Sequence, residues 1–135
     1  MNTETQDANA SAPTANSTPP PYAILLVDDG NSTRLLTKWF LSNFGYTVHA
    51  VRSAEEALMV FDPGIHDLVI TDNSMPGLSG LEMAHIIKLR SSKTPVLMYS
   101  SSIPQHRSCL DAFIQRPTHL LKVKETVERL LIRGA

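Results

Sequence analysis

The chain has one cysteine, Cys109, so no disulfide can close within it. That excludes the small secreted frameworks built on paired cysteines and suits a reducing compartment, so a cytoplasmic location is expected. No apolar run approaches the roughly 18 residues of a membrane-spanning helix. Charge is sparse and balanced, with 12 basic and 13 acidic residues and a formal net charge of −1. With no field of one sign, neither nucleic acid nor a membrane is an expected partner. The glycines form no Walker loop and no dinucleotide turn, which ranks a nucleotide-binding enzyme last. The five histidines show no metal-ligand spacing.

What is present fits one soluble domain of 135 residues, large enough for a core without staples. Residues 1–21, MNTETQDANASAPTANSTPPP, contain no Lys, no Arg, no aromatic and no aliphatic β-branched side chain. Such a stretch cannot bury enough apolar surface to offset its ordering entropy, so a disordered N-terminal tail is expected there. The tail carries Glu4 and Asp7 and no base, so without it the charge of −1 becomes +1. Residues 22–135 are left as the folding unit.

Within that unit, apolar runs alternate with helical spacing. Ala23–Val27 reads as a strand buried on both faces. Leu35, Leu36, Trp39, Phe40 and Phe44 then recur at helical intervals, with Asn31 or Ser32 as caps, and Trp39 and the phenylalanines read as core. Thr47–Val51 is β-rich, and Ser53 to Glu56 matches a capping box before Ala57, Leu58 and Phe61. Asp67–Thr71, Pro95–Tyr99 and Ala112–Gln115 complete five strands. A third helix runs through Leu81, Ala84, Ile86 and Ile87, and a last one through Val123, Val127, Leu130 and Leu131. Alternation of this kind predicts a doubly wound, flavodoxin-like α/β fold: a five-stranded parallel sheet in the order 2-1-3-4-5. Ligands of such sheets bind beyond the carboxyl ends of the strands, where strands 1 and 3 diverge.

The acids collect there. Asp28 and Asp29 follow strand 1 and Asp72 follows strand 3. One acid after a strand is often only a helix cap, but three on neighbouring central strands would repel strongly unless a cation lay between them. Oxygen donors of this type suit a hard divalent ion, Mg²⁺ above all. Strand 4 ends in Ser100-Ser101-Ser102, and strand 5 in Arg116-Pro117. Acids, a hydroxyl and a guanidinium around one point suit a phosphoryl group, with Asp72 as the nucleophile.

These signatures together resemble the receiver domain of two-component response regulators. They are Ile24–Asp29, then Asp67–Gly80 with its Asp72-Asn73-Ser74-Met75-Pro76-Gly77, then Pro95–Ser100 and Arg116-Pro117. The resemblance implies that Asp72 accepts a phosphoryl group from a histidine kinase or phosphotransfer protein, and so switches protein–protein contacts rather than acting as an enzyme. It implies Mg²⁺ held by Asp28, Asp29, Asp72 and the backbone carbonyl of Ser74, with Asp28 acting largely through water. Ser100 stands at the switch hydroxyl, Phe113 at the switch aromatic and Arg116 at the phosphoryl-binding cation. Ser101 is small, as access to the site requires. Ser74 and Ser102 fall where the family tunes the lifetime of its phosphoryl-aspartate, and the bond before Pro117 would be cis. With nothing after Ala135, a stand-alone receiver acting through an unidentified partner is expected.

Two departures matter. The family's cation is almost always Lys, and Arg116 keeps the charge in a bulkier planar fork. A receiver that no longer signals through phosphate, a phosphate-independent binding module, is therefore the alternative. Second, only fifteen residues separate Ser100 from Arg116. A shortened fourth helix of one or two turns is expected there, with a remodelled output face and a weakened symmetric dimer across it. His106 and His119 flank that face without a predicted role. The mixed charges of the last helix read as a solvated surface.

Overall fold

The computed structural model describes residues 22–134, with side chains as far as Ile132, so the expected tail, 1–21, lies outside the described residues. Five strands and four helices follow in chain order. They are β1 (Ala23–Val27), α1 (Asn31–Ser42), β2 (Thr47–Val51), α2 (Ala54–Val60), β3 (Leu68–Thr71), α3 (Gly80–Arg90), β4 (Val96–Ser100), β5 (Ala112–Gln115) and α4 (Leu120–Gly134). All pairings are parallel, in the order β2-β1-β3-β4-β5. Every strand-to-strand connection must therefore cross a face of the sheet.

The two faces explain the unbroken apolar runs. Ile24, Leu26, Ile70, Leu97 and Ile114 point to one side, where Leu41 of α1 and Val123, Val127, Leu130 and Leu131 of α4 cover them. Leu25, Val27, Val69 and Val96 point to the other, under Ala57 of α2 and Met83, Ala84 and Ile87 of α3. A strand covered on both faces has no position for a solvated side chain, so alternation disappears from its sequence.

α1 corrects one expectation. Its inward stripe is Arg34, Thr37 and Leu41, at intervals of three and four residues. Trp39 is 63% exposed, and Leu35, Leu36 and Phe44 also face out, while Phe40 is only half-buried. Hydrophobic identity pointed to the wrong face because an arginine and a threonine occupy the buried one. The Arg34 guanidinium is satisfied inside: Nη1 donates to the Asp28 carbonyl at 3.1 Å and Nη2 to Asn31 Oδ1 at 2.7 Å. Gly30, not Asn31 or Ser32, is the N-cap, with no side-chain cap bond.

The connection from β4 to β5 goes further than a shortened helix. Residues 101–111 hold one turn, closed by Leu110 N–H on the Arg107 carbonyl at 3.0 Å, and no helix. Eleven helical residues would reach about 17 Å, the length of a five-residue strand, with none left for the turns at either end. Pro104 removes a donor, and His106 Nδ1 accepts the Ser108 N–H at 3.4 Å, a local bond to the backbone that competes with helix formation. Ion pairing secures the far end. Lys88 of α3 reaches Asp111 Oδ2 at 2.7 Å, and the same oxygen accepts the Val96 N–H at 2.8 Å.

Candidate functional site

Register places the acids. Val27 pairs with Thr71 across the β1–β3 ladder, so Asp28 and Asp72 are the next residues at adjacent strand ends. Their backbones continue the ladder: Asp28 N–H donates to the Val51 carbonyl and Asp72 N–H to the Val27 carbonyl. Asp28 is buried and Asp29 exposed; Asp28 Oδ1 accepts the Gly30 N–H at 2.9 Å and so also braces the entry to α1. Asp28, Asp29 and Asp72 each offer one carboxylate oxygen within 4.8 Å of the others. Three convergent oxygen donors of full charge fit a hard divalent cation of the Mg²⁺ type.

One cation faces them. Arg116 Nη2 lies 3.3 Å from Asp28 Oδ2 and 3.5 Å from Asp72 Oδ2. The same guanidinium donates to the Tyr99 carbonyl through Nε at 3.3 Å and Nη2 at 2.9 Å. Its carbon sits 4.6 Å from the centre of the Tyr99 ring. Burial pushes the Tyr99 phenol above its ordinary value, against the opposing pull of Arg116. The Arg116–Pro117 bond is cis.

On the other side of Asp72 lies a run of hydroxyls. Ser100 Oγ donates to Asp72 Oδ1 at 2.6 Å, and the Asn73 N–H donates to the same oxygen at 2.7 Å. Ser102 N–H donates to Ser100 Oγ at 3.1 Å. Ser74 Oγ then meets Ser102 Oγ at 3.1 Å, and Asn73 Nδ2 donates to Ser102 Oγ at 3.3 Å. Ser74 and Ser102 thus touch across the mouth of the site. Phe113 stands apart on β5, half-buried, with the Arg107 guanidinium 4.9 Å from its ring centre.

Sequence reasoning gave Asn73 and Tyr99 no role, and it carried Gly80 only as the end of the Asp67–Gly80 signature. Asn73 links the site to α3, its Oδ1 accepting the Leu81 N–H at 3.3 Å and its carbonyl the Gly80 N–H at 2.9 Å. Gly80 is required by contact: a Cβ there would collide with the Asp72 carbonyl. A local signal did mark this junction, because Ser79 and Glu82 form a full capping box at the start of α3. Ser53 makes only half of one, accepting the Glu56 N–H while Glu56 turns to the Arg52 N–H.

Comparison with known proteins bears on the family and the fold. Residues 24–119 match the family model for the response regulator receiver domain. The response regulator TrrA of Thermotoga maritima, solved in complex with Mg²⁺-BeF, is 32% identical with a TM-score of 0.74, over 81% of this chain and 98% of that one. A crystal structure of the histidine kinase ThkA in complex with TrrA matches at 33% identity and a TM-score of 0.75, covering 82% and 98%. The sensory/regulatory protein RpfC of Xanthomonas campestris pv. campestris is 28% identical over 119 residues, 81% of this chain and 16% of that protein. The chain spans only 16% to 19% of the length of the first such sequence relatives.

Proposed function

The chain belongs to the response regulator receiver family of two-component signalling, and from that premise we propose that it signals by accepting a phosphoryl group on Asp72. The observation that carries the reading is the convergence of Asp28, Asp29 and Asp72 beside one arginine, with Ser100 bonded to Asp72. The donor is a phosphohistidine on a kinase or phosphotransfer protein. An Asp72 carboxylate oxygen attacks phosphorus in line; the bond to the donor's imidazole nitrogen breaks, and the imidazole leaves with the electron pair. Asp28, Asp29 and Asp72, with the Ser74 carbonyl, would hold Mg²⁺, which when bound neutralises phosphoryl oxygens in the transition state.

The chain's own groups do the rest. Arg116 offsets the acids before transfer and the phosphoryl charge after it. The Ser100 hydroxyl, now donating to Asp72 Oδ1, turns to a phosphoryl oxygen. Phe113 follows as the switch aromatic, and a partner protein reads the changed surface. Ser74 and Ser102, touching over the acceptor, set how readily water reaches the acyl phosphate and hence its lifetime. That TrrA was solved in complex with Mg²⁺-BeF supports Mg²⁺ as the ion for this site.

A second reading has one observation in its favour. Arg116 already bridges Asp28 and Asp72, so the acids are partly neutralised without a metal or phosphate. A phosphate-independent binding module would use that bridge as a fixed structural pair. Amide NMR shifts on adding beryllofluoride with Mg²⁺ separate the two. The acceptor reading expects shifts at Asp28, Asp72, Ser100, Ser102 and Phe113 that need both additions and vanish in Asp72→Asn. A silent spectrum would favour the fixed module.

A further inference from the structure

The acids are reached by an arginine whose head is held from behind. Tyr99 pairs with Ile114 across the β4–β5 ladder, and Arg116, two residues beyond Ile114, leaves the strand end on the same face. The side chain therefore folds back over the Tyr99 ring, 4.6 Å from its centre, while Nε and Nη2 share the Tyr99 carbonyl. We propose that Tyr99 is a positioning residue: its ring face and carbonyl clamp the Arg116 guanidinium so that Nη2 stands between Asp28 and Asp72. The inference rests on the phosphoryl-acceptor reading and deepens it.

The physical reason lies in the difference between the two cations. A guanidinium is planar and weakly hydrated, so it stacks on an aromatic face and keeps its in-plane N–H groups for acceptors. An ammonium is a hydrated point charge that gains no orientation from a flat surface. Arginine also carries more rotamer freedom than one salt bridge can restrain. Every residue at position 99 would supply the carbonyl, but only an aromatic one supplies the face. With the ring gone, the guanidinium would still be charged yet free to leave Nη2's place between the acids. Arg116 and Tyr99 therefore act as a matched pair, and the arginine works here because of the residue before Ser100.

Two readouts test this in the full chain. The first is the Nε–Hε resonance of Arg116, which the clamp predicts to be ring-shifted and slow to exchange. Tyr99→Phe should preserve it, whereas Tyr99→Leu should remove the ring shift and speed the exchange. The second is the rate of phosphoryl loading from an acyl phosphate with Mg²⁺. Tyr99→Leu should slow it by about five- to tenfold, the scale of one partly desolvated cation–π contact. Tyr99→Phe should stay within about twofold of the natural protein, since ring and carbonyl both remain. In an Arg116→Met background, Tyr99→Leu should add no further loss. An unmoved Nε–Hε resonance in Tyr99→Leu, or an equal loss in both backgrounds, would overturn the proposal. A natural protein that takes up no phosphoryl group while the resonance moves as stated would sink the acceptor reading alone and leave the clamp supported.

Discussion

Arg34 and His66 are polar side chains placed inside by the fold, and each ties its surroundings to a measurable property. Arg34 is buried, and its guanidinium supplies the donors for the Asp28 carbonyl and Asn31 Oδ1. Replacing it with Met keeps most of the stem but strands those acceptors, so denaturant melts should show a loss of about 1–3 kcal/mol. His66 is buried against Phe61, and its Nδ1 accepts the Asp62 N–H at 3.1 Å. That leaves the proton on Nε2, 3.3 Å from His49 Nδ1. Burial first, then His49, hold the His66 pKa below its usual 6.5, against the opposing pull of Asp62 and Asp67. The unfolded chain then binds more protons than the folded one below about pH 6.5, so stability falls as pH drops through that value. Thermal midpoints should decline between about pH 7 and pH 5.5, and the decline should shrink in His66→Gln. A slope unchanged in that variant would remove His66 from the account. At this scale the acids, Ser100 and Arg116 were legible because each ends a strand or lies within two residues of a strand end. Tyr99, Asn73 and Arg34 were not, since their partners come from ladder register and helix packing that no local pattern records.

Helices show where local signals suffice and where they fail. α3 begins with a complete capping box, so Ser79→Ala should cost about 1 kcal/mol in a melt. Gly80→Ala, one residue on, should cost clearly more, because its Cβ has no room beside the Asp72 carbonyl and the backbone must move. The contrast between these neighbours checks that α3 is seated directly on the acceptor loop. Strands β1, β2 and β5 were readable to the residue, since apolar and β-branched runs between turn residues leave little freedom. α1 was readable as a helix but not in its orientation, because its buried stripe holds Arg34 and Thr37. For the segment after β4, length alone showed that a full helix could not fit. The complete absence of one goes with Pro104 and with the bonds between His106 and Ser108, side-chain geometry that periodicity does not record.

At the scale of the molecule, doubly wound topology brings four strand ends to one edge, and the site lies at the β1–β3 switch point, where the chain leaves β1 for one face and β3 for the other. Without a helix between β4 and β5, an irregular loop flanks the edge strand β5, with Arg107 over Phe113. Light scattering should therefore find the protein monomeric with and without beryllofluoride and Mg²⁺, and a tight dimer through this loop and strand would contradict that expectation. The central claim is that Asp72 takes a phosphoryl group from a donor in a metal-dependent way. Its most direct test is intact-protein mass spectrometry after incubation with an acyl phosphate and Mg²⁺. The account predicts the gain of a single hydroxylamine-labile phosphoryl group, lost when EDTA removes the metal and absent in Asp72→Asn. No gain in the natural protein, or an undiminished gain in Asp72→Asn, would contradict it.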